Sequence, residues 1–131
     1  MQVPDDLRYT PDHEWLRIDG DEAVMGITEY AATELGDIVF VELPKIGTTL
    51  ESAQSFGVIE SVKTASDLFA PAAGEIIAIN DALADKPELV NDDPYGEGWM
   101  VRLKLSDPAA ASAASDHLMD PDAYRKLVEA G

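Results

Sequence analysis

The chain has 131 residues, a length that suits one domain burying roughly two-thirds of its unfolded surface. Its 26 Asp and Glu against 9 Lys and Arg give a formal charge of −17, which argues against nucleic acid or an anionic membrane surface as a partner. There is no cysteine, hence no disulfide and no thiolate chemistry, and no apolar run long enough to span a bilayer. The first residues, Met1-Gln2-Val3-Pro4-Asp5-Asp6, lack the basic and apolar regions of a signal or transit peptide. A prokaryotic cytoplasm is therefore expected, with a mature mitochondrial form re-expressed from a new Met1 as the alternative.

In chain order, Trp15-Leu16-Arg17-Ile18 alternates as a strand, Asp19-Gly20-Asp21 supplies a turn, and residues 23–27 return as its partner in a first hairpin. Thr28 is placed to cap a short helix over about 29–35, with Glu29 in its first turn and Gly36 closing it. Residues 37–43 are apolar on both faces for part of their length and stop at Pro44, which predicts a strand at the centre of a sheet. Residues 56–74 predict a second hairpin. Phe56, Val58, Glu60 and Val62 alternate towards Lys63, while Leu68, Phe69 and a turn over 71–74 close the other side.

Residues 74–80 repeat the style of 36–43, since Gly74-Glu75-Ile76 echoes Gly36-Asp37-Ile38 at a separation of 38. Residues 99–103 correspond loosely to 56–60, which suggests two half-repeats forming a pseudo-symmetric pair of sheets. Residues 81–93 read as irregular apart from one helical turn begun by Pro87, and 93–98 as a turn cluster before a closing strand over 99–105. Asp107 begins a low-complexity joint to 115. Asp120-Pro121 then caps a helix with an apolar stripe of Ala123, Tyr124, Leu127 and Val128. The expectation is a mainly β chain with three short helices.

Candidate chemistry centres on Lys63. A hairpin tip projects from its sheet, so the link Ser61-Val62-Lys63-Thr64 presents the lysine to solvent. Glu60 and Asp67 beside it favour the charged ammonium, which argues against a Schiff-base lysine and suits one that a separate enzyme acylates. Charge and turn placement alone leave an ordinary solubilising lysine as an equal reading. No metal site is expected, because His13 and His117 stand at opposite ends of the chain. Gly96-Glu97-Gly98 is too short for a dinucleotide loop, and the pairs Asp5-Asp6 and Asp92-Asp93 read as solvated surface. Trp15 and Trp99 are expected to fill the ends of the core, and Glu14 is assigned equally to structure and to function.

The segment ESVKTASDLFAP resembles the lipoyl-attachment segment of the glycine cleavage system H protein family, through Glu60, Ser61, Val62, Lys63, Ser66, Asp67, Leu68 and Pro71. YTPDHEW, ending at Trp15, and NDDPYGEGWM, ending at Met100, are also typical of that family. The resemblance implies a barrel-sandwich hybrid, the flattened two-sheet barrel of lipoyl and biotinyl carriers, as a single domain with its core over about 5–105. It implies a monomeric, non-catalytic carrier whose (R)-lipoate is attached by an amide to Lys63, with Glu60, Ser61, Val62 and Asp67 forming the attachment motif.

In that family the arm collects the aminomethyl group of glycine at a pyridoxal-phosphate glycine decarboxylase and delivers it to a tetrahydrofolate-dependent aminomethyltransferase. A dihydrolipoyl dehydrogenase then reoxidises it, and a lipoate ligase or a lipoyl/octanoyl transferase attaches it. The loaded arm folds back into a surface cleft, for which Glu14 and Asp67 are the candidate docking carboxylates. A biotin carrier would carry methionines where Val62 and Thr64 stand, and a lipoyl domain of a 2-oxo acid dehydrogenase would lack the His13-Glu14-Trp15 and Asp93-Pro94-Tyr95-Gly96 segments. A lipoyl/octanoyl relay protein of the same fold is the alternative function.

Overall fold

A computed structural model describes residues 2–109 and 118–130. Among the described residues nine strands form two sheets. The larger has six strands in the order β1 (Arg8–Tyr9), β2 (Glu14–Asp19), β3 (Glu22–Ile27), β9 (Val101–Leu105), β8 (Gly74–Ile79) and β5 (Thr49–Leu50). The smaller has β4 (Ile38–Glu42), β6 (Ser55–Ser61) and β7 (Ala65–Phe69) in that order. Neither sheet closes on itself. Their inward faces share one core that includes Leu16, Met25, Ile38, Ile59, Leu68, Ile76, Val101 and Leu103.

The first hairpin forms as the alternation predicts, with Trp15 opposite Gly26 and Leu16 opposite Met25. A side chain at Gly26 would meet the Trp15 indole at 2.9 Å, so the ring covers the glycine and the pair packs as one unit. Thr28 caps the helix α1 (Glu29–Leu35), accepting from the Ala31 amide at 3.2 Å. Gly36 ends it at φ 84, a conformation open to glycine, and donates to the Ala32 carbonyl.

The half-repeats take matching shapes. β4 pairs with β6 as β8 pairs with β9, and each pairing is broken at the same place, between Ile38 and Phe40 and between Ile76 and Ala78. The second strands correspond one residue differently from the sequence expectation: Ser61, Glu60 and Ile59 are the counterparts of Leu103, Arg102 and Val101. A one-residue slip reverses the faces of a strand, so only this correspondence puts Ile59 and Ser61, like Val101 and Leu103, on the buried side.

Other expectations need correction. β4 is an edge strand of the smaller sheet, not a central one, and Val39 and Phe40 are 51 % and 47 % exposed. The apolar run on both faces reflects a bulge in an exposed edge rather than burial on two sides. The strand expected over 99–105 starts at Val101 and lies between β3 and β8 inside the larger sheet. Within 81–93 there are two short helices, α2 (Ala82–Asp85) and α3 (Leu89–Asp92), where the sequence reads a single helical turn begun by Pro87.

The last helix, α4 (Pro121–Ala130), is capped by Asp120, whose Oδ1 accepts from the Ala123 amide at 2.8 Å. Its buried stripe is Tyr124 with half-buried Val128, while Ala123 and Leu127 face outward. Tyr124 joins Leu7, Tyr9, Trp15 and Tyr95 in a second apolar cluster that fastens α4 to the larger sheet. Of the expected joint over 107–115, residues 110–115 lie outside the described residues.

The lysine hairpin hangs on a close contact at Gly57, where an added Cβ would overlap the backbone carbonyl of Glu42 on β4. Gly57→Ala is expected to lower the urea midpoint by the equivalent of about 1–3 kcal/mol, because the backbone on both sides must move. An unchanged midpoint would mean that β4 and β6 are not in close register here.

Candidate functional site

The tip of the β6–β7 hairpin is built around Ser61. Neither Val62 nor Lys63 has a positive φ, so the tip is not one of the primed turns that match strand twist. The Ser61 hydroxyl supplies the missing closure. It accepts from the amides of Lys63 (3.3 Å) and Thr64 (3.2 Å), while the Ser61 amide donates to the Thr64 carbonyl at 2.8 Å. The Val62 amide donates to Asp37 O at 3.0 Å and ties the tip to the entry of β4.

Lys63 is exposed, as expected, and Val62 beside it is 70 % exposed. The ion pairs of the described residues involve Arg17, Arg102 and Arg125, not Lys63, so Glu60 and Asp67 do not clasp the ammonium as their sequence proximity suggests. Glu60 stands half-buried opposite Phe40 and Ala65 in the sheet. The Lys63 stem instead runs beside the end of α1, where a Cβ on Gly36 would lie 3.5 Å from Lys63 Cε.

A cleft of about 340 Å³ lies against the same helix. One wall is the turn carrying Asp12, His13 and Glu14; a second is α1, through Tyr30, Ala31, Glu34 and Leu35; the third is β7, through Ser66, Asp67 and Leu68. Ile27 and Ile59 also line it. An aliphatic chain with a cationic end suits this composition, apolar within and carboxylate-bearing at the walls.

Glu14 and Asp67 thus belong to one cleft, but their environments differ. Asp67 is exposed, opposite Val58 in the sheet. Glu14 is 2 % exposed and straps the sheets together: it is the first residue of β2, and its Oε2 accepts from the Phe69 amide at the end of β7 at 2.7 Å. Its Oε1 lies 3.4 Å from the Thr10 hydroxyl. Burial pushes the carboxyl up from 4.5 to about 8 against the pull of the Phe69 amide. His13, half-buried beside it, is held below its ordinary pKa by desolvation, opposed by Asp12 and Glu34.

The Glu14 shift has a consequence for stability. Between pH 4.5 and 8 the folded chain keeps a proton that the unfolded chain releases, so rising pH lowers stability across that window and the fall ends above it. Glu14→Gln mimics the protonated acid and keeps an acceptor for Phe69. Its unfolding free energy relative to wild type should rise with a slope on the order of 1 kcal/mol per pH unit in that window, read by urea unfolding at several pH values. Parallel pH profiles for the two proteins would show that Glu14 is ionised throughout.

Sequence reasoning singled out Lys63, Glu14 and Asp67 but not the α1 wall of the cleft. The signal was present, since Tyr30 with Glu34 and Ala31 with Leu35 are pairs four apart on one helical face. The Glu14 to Phe69 bond spans 55 residues and leaves no trace in composition or periodicity.

Two packed, unclosed sheets with short helices, and a lysine displayed on the hairpin of the smaller one, define a carrier protein of the barrel-sandwich class. A family model described as glycine cleavage H-protein matches residues 7–131. The chain is 57 % identical over 128 residues to the glycine cleavage system H protein of Bacteroides thetaiotaomicron, with 98 % of each chain covered. It is 52 % identical to a probable glycine cleavage system H protein of Haloarcula marismortui, again with 98 % of each covered. A crystal structure of a glycine cleavage system H protein from Mycobacterium marinum superposes with a TM-score of 0.86 at 39 % identity, covering 96 % of this chain and 98 % of that one. The chain belongs to the glycine cleavage H-protein family.

It is accordingly a lipoyl carrier of the glycine cleavage system, a component without turnover of its own whose partners are the other components of that system. Among the described residues no helix is long and apolar enough to cross a membrane.

Proposed function

We propose that Lys63 is the residue that carries lipoate, joined through an amide at Nζ, and that the cleft between the Glu14 turn, α1 and β7 receives the loaded arm. The observation that supports this most directly is that the exposed Lys63 stem lies beside Gly36 at the end of α1, the helix that walls a cleft with apolar lining and four carboxylates, Asp12, Glu14, Glu34 and Asp67. When bound, the lipoyl dithiolane supplies the oxidant and the thiol that carry the aminomethyl group of glycine.

The residues of the chain supply position, shelter and charge. Ser61 holds the tip so that Lys63 stays clear of the sheet. Glu60, Val62 and Asp67 form the surface that the attaching enzyme reads, a lipoate ligase or a lipoyl/octanoyl transferase, and Ser61, buried beneath it, completes the attachment motif by holding the tip in shape. Amide formation removes the ammonium, and tethering keeps the one-carbon unit at high effective concentration as the carrier moves between active sites. Those sites belong to the pyridoxal-phosphate glycine decarboxylase, the tetrahydrofolate-dependent aminomethyltransferase and dihydrolipoyl dehydrogenase. The chain acts as a single domain, as a monomer and in the cytoplasm, a location that fits its bacterial and archaeal relatives.

A buried Glu14 that is mostly protonated at neutral pH must release its proton before it can meet an ammonium as a carboxylate. Docking therefore strengthens as pH rises towards 8. The attachment site is tested by incubating the chain with lipoate and a lipoate ligase, followed by intact-mass analysis and peptide mapping. One addition on the Lys63 peptide is expected; additions on Lys45, Lys86, Lys104 or Lys126 in its place would overturn the assignment.

A further inference from the structure

The Tyr124 hydroxyl, on the C-terminal helix, joins two walls of the cleft. It lies 2.9 Å from His13 Nδ1 and 2.7 Å from Thr28 Oγ1. Its ring is fully buried and stacks on Tyr9, with centroids 4.5 Å apart and planes 8° apart, so the hydroxyl has little freedom to move.

Both of its partners are hinge points of the cleft. His13 has φ 67, an unfavourable left-handed conformation for a residue with a Cβ, which persists only where several contacts enforce it. Those contacts are the His13 amide to Thr10 O, the Thr28 amide to His13 O, each 3.0 Å, and the ring bond to Tyr124. Reversal of the chain at His13 directs the next residue, Glu14, to Phe69 and the cleft. Thr28 in turn starts α1, the opposite wall.

We propose that Tyr124 is a positioning residue for the cleft: its hydroxyl locks His13 and Thr28 together and so fixes the Glu14 turn against α1. This inference rests on the docking role proposed above for the cleft. The contact explains how a helix attached at the β1 edge of the larger sheet bears on a site that is also walled by the smaller one. Loss of one hydroxyl leaves the Tyr9 stack and the apolar cluster intact, so the effect falls on the walls rather than on the barrel.

The test compares Tyr124→Phe with Tyr9→Phe, which loses a hydroxyl bond of 2.7 Å to Pro4 O, away from the cleft. In the unmodified protein, Tyr124→Phe should speed amide hydrogen exchange at His13, Glu14 and Ala31 by about fivefold to tenfold, with β8 and β9 unchanged. Tyr9→Phe should leave those three amides at their wild-type rates. After lipoylation and loading with glycine by the decarboxylase, Tyr124→Phe should release formaldehyde several-fold faster than wild type, with Glu14→Ala measured in parallel.

Exchange that rises equally across the barrel, or wild-type behaviour of Tyr124→Phe in both readouts while Glu14→Ala is fast, overturns the positioning role. A wild-type release rate for Glu14→Ala instead removes Glu14 from the docking site proposed above, and the exchange pattern alone then decides whether Tyr124 sets the walls. Should Tyr124→Phe not fold, His13→Asn tolerates the same backbone conformation, shortens the side chain away from Tyr124, and carries the same comparison.

Discussion

Lys63→Arg should accept no lipoyl group at all, although it keeps the positive charge and nearly the same reach. Guanidinium is a poor nucleophile that stays protonated, so acylation stops at the chemical step rather than at recognition. The remaining lysines do not compensate. Lys104 lies within β9, Lys126 on α4, Lys45 follows Pro44, and Lys86 sits between two short helices, so none is at a hairpin tip held clear of its sheet. Intact mass should therefore show full modification of wild type and none of the variant. Because Lys63 is exposed and forms no ion pair among the described residues, the variant should unfold at the wild-type temperature, and the loss cannot be ascribed to misfolding.

Glu14→Ala should accept lipoate normally yet, once loaded and separated from its partners, release formaldehyde about tenfold to hundredfold faster than wild type. Water cleaves an aminomethyl thioether to thiol, formaldehyde and ammonia, so an arm left in solvent loses its cargo. A partly desolvated ammonium–carboxylate contact is worth roughly 1.5–3 kcal/mol, which is that bias towards the docked arm. The dependence on pH separates this contact from simple packing. Glu14 ionises near 8, so the gap between the two proteins should widen as pH rises from 6 to 8. Equal release rates at every pH would confine Glu14 to strapping β2 to β7.

The parts of the molecule legible in the sequence are those decided by neighbours along the chain. The Trp15 to Ile27 hairpin, the Thr28 cap and the Ser61 to Thr64 tip each follow from alternation and turn chemistry within a few residues. The exposure of Lys63 was legible because a tip has no inward face, while its role as the attachment residue rested on the family resemblance. What was not legible depends on partners brought together by the fold. The apolar run over 37–43 reads the same for a central strand and for an edge strand with a bulge, and only pairing with β6 alone, leaving Val39 and Phe40 exposed, tells them apart.

The stripe on α4 failed for a related reason. Sequence spacing offers both the Ala123 and Leu127 pair and the Tyr124 and Val128 pair, and the Tyr9 ring selects the second. Within the site, the buried and raised carboxyl of Glu14 was hidden because its partner amide belongs to Phe69, across the gap between the sheets.

The central claim, that the chain acts as a carrier only through a lipoyl group on Lys63, is tested most directly by glycine–bicarbonate exchange with the pyridoxal-phosphate decarboxylase. The account predicts exchange with the lipoylated wild-type chain, and none with the unmodified chain or with Lys63→Arg treated with ligase. Equal exchange from the unmodified chain, or none from a chain shown by mass to be fully lipoylated at Lys63, would contradict it.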